Sequence, residues 1–387
     1  MIKATTVSIV HDDSRQAGIE AAEELLDELG GEPELVLLFA GARFNQAEIL
    51  AGIYSRLSAG VRLVGCSSYG EINSEEALVN SVTAMGLRFD GVTFQTFKIA
   101  GGGDSFGRGK AFAAEVKAFE PNLLIVFPDG LGMNSTQFLL GLQEVLGRSF
   151  PIVGGVAADQ GDFSRTFEYF DREVLSGGAV GVALKGPIEI VTAAKSGWLP
   201  IGATHTCTRV EDGNVLLELD GHPALSLYRE YLGERYKEMP LVGVEYPIGM
   251  VGGVPSTQKL PDEQILLLRA IKGVDEARQA IVFGGDVPEG AEVRMTRATK
   301  QDVIRGADEA GTKVLAALSE PSVALIFDCM ARKIVLGPRY KDELKATFAR
   351  IGDRVPKIGF YTFGELSPVQ GVTMHHDETF TVALLKA

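Results

Sequence analysis

Val64-Gly65-Cys66-Ser67-Ser68-Tyr69-Gly70-Glu71 and Ile358-Gly359-Phe360-Tyr361-Thr362-Phe363-Gly364-Glu365 occupy the same point in two copies of one repeated unit. Each is a strand-like run that enters a turn of the form Gly-x4-Gly-Glu. Upstream of them stand LVLLF (35–39) and VALIF (323–327), short runs of the kind a strand buried on both faces shows. A polar loop and a helix separate run and turn. Ile49, Leu50, Ile53, Tyr54 and Leu57 share one helical face in the first copy, and Leu344, Phe348 and Ile351 in the last. Another copy lies between them: LLIVF (123–127), a helix carrying Phe138, Leu139, Leu142, Val145 and Leu146, then Gly154-Gly155 leading into Ala157-Ala158 without the Gly-x4-Gly-Glu form. Self-similarity on this scale identifies a repeat architecture.

Working outward, a strand and a helix precede each copy, at 5–10 and 14–29, 92–99 and 107–119, and 292–296 and 301–318. A further strand closes each copy, at 81–89, 179–184 and 379–385. Asn45 with Glu48 forms a capping box, and Gly147 and Gly352 suit helix ends. The fold class is therefore α/β: repeated β-α-β-α-β-β units forming mixed, mostly parallel sheets covered by helices, with the closing pair antiparallel. The stretch 187–290 breaks the rhythm, with strands expected at 189–194, 215–219, 265–270 and 280–283 and a helix after Pro223. A boundary near 220, within 197–221, divides the chain into two domains, 1–220 and 221–387.

A chain of 387 residues with 45% apolar and 23% charged residues has an ordinary globular balance. A net charge of −14 without a basic stripe argues against nucleic acid and anionic membranes as partners. No apolar run is long enough to span a bilayer, and residues 1–10 do not read as a signal peptide. Three widely spaced cysteines, Cys66, Cys207 and Cys329, are not a disulfide framework and point to the cytoplasm.

Catalytic motifs fail one by one. Gly65 to Tyr69 would need Gly at Tyr69 to form a nucleophile elbow. Gly101-Gly102-Gly103 and Gly109-Lys110 miss the register of a phosphate loop. His375-His376-Asp377-Glu378 is dense in metal-ligating types, but neighbours on a strand point to opposite faces. Asp328-Cys329-x-x-Arg332 reads as a buried thiol with Arg332 paired to Asp328 rather than as a thiolate nucleophile, but it too stands at a strand's carboxyl end, which makes Cys329 and Arg332 candidate ligand-binding residues. A nucleophilic Cys329 or Cys66 needs a histidine partner, and none is adjacent, so an enzyme is not expected. The two Gly-Glu turns sit at carboxyl ends of strands, where α/β sheets bind ligands. Ser67, Tyr69, Glu71, Tyr361 and Glu365 then offer hydroxyls, rings and carboxylates to a pocket. The competing reading is structural, with glycines at positive φ and solvated glutamates.

The residues in order also resemble the FIST family, an N-terminal and a C-terminal FIST domain joined end to end. The resemblance rests on Val64 through Glu71, Val153-Gly154-Gly155, Gly197-Trp198-Leu199-Pro200-Ile201-Gly202 and Leu219-Asp220-Gly221. It continues through Tyr246-Pro247-Ile248-Gly249, Arg269, Gly284 to Gly290, Cys329 with Arg332, Gly359 through Glu365, and His376 with Thr379. It implies a cytoplasmic ligand-sensing protein. The chain also resembles a stand-alone subset of the family, which implies haem b, nitric oxide as signal, and a partner histidine kinase or diguanylate cyclase of a two-component type of system. His376 falls on a family position and becomes the implied axial ligand, with His205 and His222 as alternatives. The other expectation is a sensor of a metabolite such as an amino acid without haem, its ammonium met by Glu71 and Glu365.

Overall fold

In the computed structural model, which describes residues 1–251 and 266–387, the chain forms three copies of one unit and one inserted body. The first unit runs β1 (Ile2–Ile9), α1 (Ser14–Leu29), β2 (Leu35–Gly41), α2 (Gln46–Ile53), β3 (Arg62–Ser68), the hairpin β4 (Glu71–Ile72) and β5 (Ala77–Leu78), and β6 (Val82–Phe89). The second runs β7 (Thr93–Ile99), α3 (Ser105–Ala118), β8 (Leu123–Pro128), α4 (Ser135–Leu146), β9 (Ile152–Gly155), the hairpin β10 (Glu168–Phe170) and β11 (Glu173–Leu175), and β12 (Ala179–Lys185).

The third unit opens with β13 (Glu189–Lys195). The chain then leaves it for β14 (Leu199–Glu211), β15 (Val215–Leu219), β16 (His222–Pro223), α5 (Ala224–Leu232), β17 (Ile248–Val251), β18 (Leu266–Arg269), β19 (Ile271–Asp275), β20 (Ala280–Phe283) and β21 (Glu292–Arg297). It returns as α6 (Lys300–Ala317), β22 (Val323–Cys329), α7 (Met330–Leu336), α8 (Tyr340–Ile351), β23 (Lys357–Thr362), the hairpin β24 (Glu365–Val369) and β25 (Val372–His376), and β26 (Phe380–Lys386). The strand at 292–296, expected to open the last copy, belongs instead to the inserted sheet, where β21 pairs with β14 and β17. Its place is taken by β13, which pairs with β26, because the insertion separates the opening strand from its helix. Of the strand expected at 265–270, Ile265 lies outside the described residues.

The three core sheets follow one plan. Their strand orders are β1-β6-β2-β3-β10-β11, β7-β12-β8-β9-β24-β25 and β13-β26-β22-β23-β4-β5. Each sheet is mixed. Its two central strands are parallel (β2 with β3, β8 with β9, β22 with β23), and the ladders on either side are antiparallel. The parallel share is smaller than the strand–helix alternation suggests, because the closing strand slips between the opening strand and the first central one. Each sheet ends in a hairpin from another unit. The first unit lends its hairpin to β23, the second to β3 and the third to β9.

The inner faces of the sheets share one core. Phe39, Phe127 and Phe327 hold the same position in β2, β8 and β22 and meet there, with ring centroids 5.2 Å apart for Phe39–Phe127 and 6.1 Å for Phe127–Phe327. Edge contacts of this kind add about 0.5–1.5 kcal/mol each beyond area burial. The repeated glycine explains how the parallel strands fit. A Cβ on Gly65, Gly154 or Gly359 would lie 1.8, 1.9 or 1.7 Å from the carbonyl oxygen of Leu38, Val126 or Ile326. Gly147 and Gly352 end α4 and α8 at positive φ as expected, whereas the capping box at Asn45 is half formed: the Asn45 side chain accepts from the Glu48 N–H, but the Asn45 N–H donates to Ser14 Oγ and the Glu48 carboxylate pairs with Arg15.

Candidate functional site

The carboxyl ends of β3, β22 and β23 converge under the inserted body and leave a cavity of about 340 Å³. That lies within the usual range for small-ligand sites. Tyr69, immediately after β3, and Phe363, immediately after β23, are counterparts in the repeat and both line it. Cys329, Met330, Ala331 and Ile334 bring in the end of β22 and the start of α7, and Phe163 comes from the loop after β9. Pro240, Leu241, Val244, Ile271 and Lys272 form the part contributed by the insertion, and Asp377 follows β25. The walls are mainly apolar. Phe163 stacks on Phe363 at 5.0 Å between centroids and 23° between planes, and it is 52% exposed, forming part of the rim.

Two ionisable side chains carry opposite charges into this apolar setting. Asp377 is 1% exposed, and its Oδ2 faces the equally buried Arg269 guanidinium at 3.9 Å. Burial pushes the Asp377 carboxyl up, opposed by Arg269, by Lys272 and by backbone N–H groups of Ala270 and Gly285. Desolvation lowers the Lys272 pKa against the pull of Asp377 and Asp129. Its side chain nevertheless remains open to solvent, as a cation on a concave wall does. Among the described residues no ion pair or hydrogen bond holds the Lys272 ammonium.

Of the residues singled out from sequence, Tyr69 and Cys329 line the cavity. The Cys329 thiol is 3% exposed and pushed well up, first by burial and then by Glu365, Glu378 and Asp377, which disfavours the thiolate. Ser67 and Glu71 are wholly buried elsewhere. Ser67 Oγ accepts from the Phe167 N–H at 2.9 Å, and Glu71 accepts from Ser68 and from the N–H and hydroxyl of Ser81. Glu365 is likewise wholly buried and accepts from the Thr362 hydroxyl at 2.5 Å. Neither glutamate is solvated and neither reaches the cavity. Gly70 and Gly364 are not at positive φ but make room. A Cβ there would meet the Lys333 Nζ at 2.7 Å and the His375 Nε2 at 2.4 Å.

Tyr361 is buried with an unpartnered hydroxyl, and its ring lies 4.6 Å from the Lys333 ammonium, whose pKa burial lowers to about 8. Arg332 is wholly buried. It pairs with Asp328 at 3.1 Å and with Glu343, and it donates to the carbonyls of Ser196, Val303 and Glu378. The Asp328–Arg332 pair expected from the sequence is thus present.

Sequence reasoning missed Lys272, Phe163 and Phe363 as cavity residues and Glu168 as the second unit's counterpart of Glu71 and Glu365. Phe363 was readable, since it aligns with Tyr69. Nothing local marks Lys272, which stands in the irregular insertion.

The architecture defines a class before any particular relative. Family models match residues 34–222 as a FIST N domain and residues 224–368 as a FIST C domain. The chain belongs to the FIST family, whose domains are sensor domains of signal transduction. It is 31% identical to an uncharacterized protein of Mycobacterium tuberculosis with 96% of each chain covered, and 28% identical to one of Mycobacterium bovis with the same coverage. Among solved structures it is similar to cyanuric acid hydrolase from A. caulinodans at a TM-score of 0.41 and 8% identity, covering 100% of this chain and 99% of that one. That likeness is too slight to bear on activity. Among the described residues no helix is long and apolar enough to cross a membrane, and no group of three or more His, Cys, Asp or Glu is placed to hold a metal ion.

The histidines fit poorly with the haem that the resemblance implies. His376 is 5% exposed, its Nε2 lies 3.0 Å from the Ser367 carbonyl, and burial lowers its pKa to about 4. The space beside it, about 340 Å³, has a mixed lining, with Trp198, Leu199, Leu267 and Met374 beside Lys195, Asp302, Arg305, Glu309 and Lys313, and five charged side chains suit a porphyrin poorly. His205 is engaged by Asp220 at 2.8 Å, and His222 is exposed on β16.

Proposed function

We propose that this chain is a sensor whose signal is a small metabolite taken into the Tyr69–Lys272–Cys329–Phe363 cavity, with no chemistry performed on it. One observation carries the reading. The cavity is built jointly by the FIST N stretch (Tyr69, Phe163) and the FIST C stretch (Lys272, Cys329, Phe363), and it combines apolar walls with a cation that no side chain among the described residues answers. A ligand there touches both domains and favours whichever arrangement binds it better, so a partner such as a histidine kinase or diguanylate cyclase would read a population shift.

The test is a thermal-shift screen of metabolites on the full chain. A ligand at a hundredfold excess over Kd stabilises by about 2.7 kcal/mol. Ala331→Trp, which fills the cavity, should abolish the shift while the variant still melts cooperatively. A shift that survives this substitution places binding elsewhere and sinks the reading. The narrower haem and nitric-oxide version has its own readout: saturable haem binding with a Soret shift would replace the metabolite with haem b.

A further inference from the structure

The charge distribution in the same cavity narrows what it takes, and the following rests on reading it as the ligand site. Among the described residues one cation, Lys272, and one carboxylate, Asp377, line its wall, and a second cation, Arg269, stands behind the carboxylate. Arg269 and Asp377 are both 1% exposed and face one another at 3.9 Å, so the carboxylate charge is balanced from inside the protein although its Oδ2 accepts no hydrogen bond among the described residues. Lys272 is left as the cation that faces the cavity unanswered among the described residues. His375, behind Arg269, contributes no charge, since burial holds its pKa well below the usual range. Lys272 presents its ammonium to the cavity while open to solvent, and an anionic ligand seated there gains a charge-assisted hydrogen bond from it. A zwitterion would bring an ammonium with it, and the one carboxylate among the described lining residues, Asp377, already faces the Arg269 guanidinium, so the charge around the cavity stays net positive and disfavours a second ammonium. The rest of the wall is apolar and partly aromatic, with the stacked pair Phe163–Phe363, Tyr69, Met330 and Ile334.

We propose that the ligand is an organic monoanion with an apolar, ring-sized body, a monocarboxylate without a free amine, and that Lys272 is the residue that selects for it. Selection acts through the carboxylate, and the aromatic rim supplies the less specific part of the affinity.

The test compares four probes sharing one body: phenylacetate, phenylacetamide, phenethylamine and L-phenylalanine. They are titrated calorimetrically into the full chain and into the Lys272→Met and Lys272→Arg variants, with melting curves confirming that each variant folds. Phenylacetate is expected to bind at least about tenfold tighter than the other three. Lys272→Met should remove most of that preference and Lys272→Arg should largely restore it. Equal binding of phenylacetamide or L-phenylalanine overturns the monoanion class while leaving a ligand site in place. Unchanged phenylacetate affinity in Lys272→Met overturns the role of Lys272. If none of the four binds, the monocarboxylate class is overturned. A metabolite from the screen that binds and is blocked by Ala331→Trp then shows that the sensor reading stands without it.

Discussion

Cys66 stands opposite Glu168 in the antiparallel pairing of β3 with β10. The same relation joins Phe360 to Glu71 and Gly155 to Glu365. Three glutamates thus head three exchanged hairpins, all wholly buried, and desolvation raises the pKa of each. Glu168 feels the like charge of Asp129 in addition, and its Oε1 has no partner, while Oε2 accepts from the Gly178 N–H at 3.0 Å.

The first prediction concerns that carboxyl. A group whose folded pKa lies above its unfolded value stabilises fully below the unfolded pKa and loses that contribution as pH rises through the folded one. Glu168→Gln should therefore melt at or above the wild-type temperature at pH 8 and lose its relative advantage toward pH 5. A fall of several degrees at pH 8 would show that the ionised form is the one the fold needs.

The repeated glycine can be tested against a control. Gly65→Ala puts a methyl group against the Leu38 carbonyl, where backbone cannot yield, and should leave the chain insoluble or melting far lower. Gly273→Ala has open space around its Cβ and should stay within about 0.5 kcal/mol of wild type. Comparable melting of the two variants would contradict the close approach of β2 and β3.

Arg332 answers two buried carboxylates, so Arg332→Met strands Asp328 and Glu343 together. The expected loss is about 3–5 kcal/mol in denaturant titrations. Adding Glu343→Gln to Arg332→Met should recover part of it, since one stranded charge is removed. A strictly additive double variant would argue that the two side chains do not interact.

Acid sensitivity follows from His376. Burial is the main cause of its lowered pKa, with Arg269 acting in the same direction and the Ser367 carbonyl opposing. For a lowered pKa the stability is present above the unfolded value and is lost as pH falls toward the folded one. From about 6.5 down to about 4, this histidine should cost the fold roughly 2 kcal/mol by pH 5. His376→Gln, which keeps a donor for Ser367, should flatten that part of the pH profile of the melting temperature. An unchanged profile would assign the acid sensitivity to other groups.

Thiol chemistry separates sensing from catalysis. Cys66, Cys207 and Cys329 are all buried, and burial raises each thiol, Cys207 to about 12. Native protein treated with iodoacetamide at pH 7.5 should show all three unmodified by mass spectrometry, with labelling only after denaturant is added. Rapid, selective labelling of Cys329 would revive the nucleophile reading.

How far the fold was legible depended on where the repeat stayed in step. Central strands buried on both faces and helices with one apolar face announce themselves by period, and the three copies were visible for that reason. Glu168 was hidden because a long loop separates it from Gly155, whereas Glu71 follows Gly65 within one tight turn. The role of β13 was hidden because the insertion parts it from α6. The hairpin exchange left no trace at all, since pairing between units depends on three-dimensional proximity and not on local pattern. At the site, Tyr69 and Cys329 were found because strand ends of α/β sheets are where ligands gather. Glu71 and Glu365 were misplaced because a carboxylate after a glycine reads as exposed. Here both Glu71 oxygens are taken by Ser68 and Ser81, and one Glu365 oxygen by Thr362, while Glu365 Oε2 is buried without a partner.

The loan of hairpins runs in a closed circuit, from the first unit to the third, from the third to the second and from the second to the first. No unit is whole by itself. Excising any one of them would strip a neighbour of its outer strands and leave a bare sheet edge, the kind of surface that recruits other chains. The repeats are therefore interlocked partners rather than beads on a string. A disturbance at the seam between the third unit and the first, where Tyr69 and Phe363 lie, has a covalent and hydrogen-bonded route to both of the other seams.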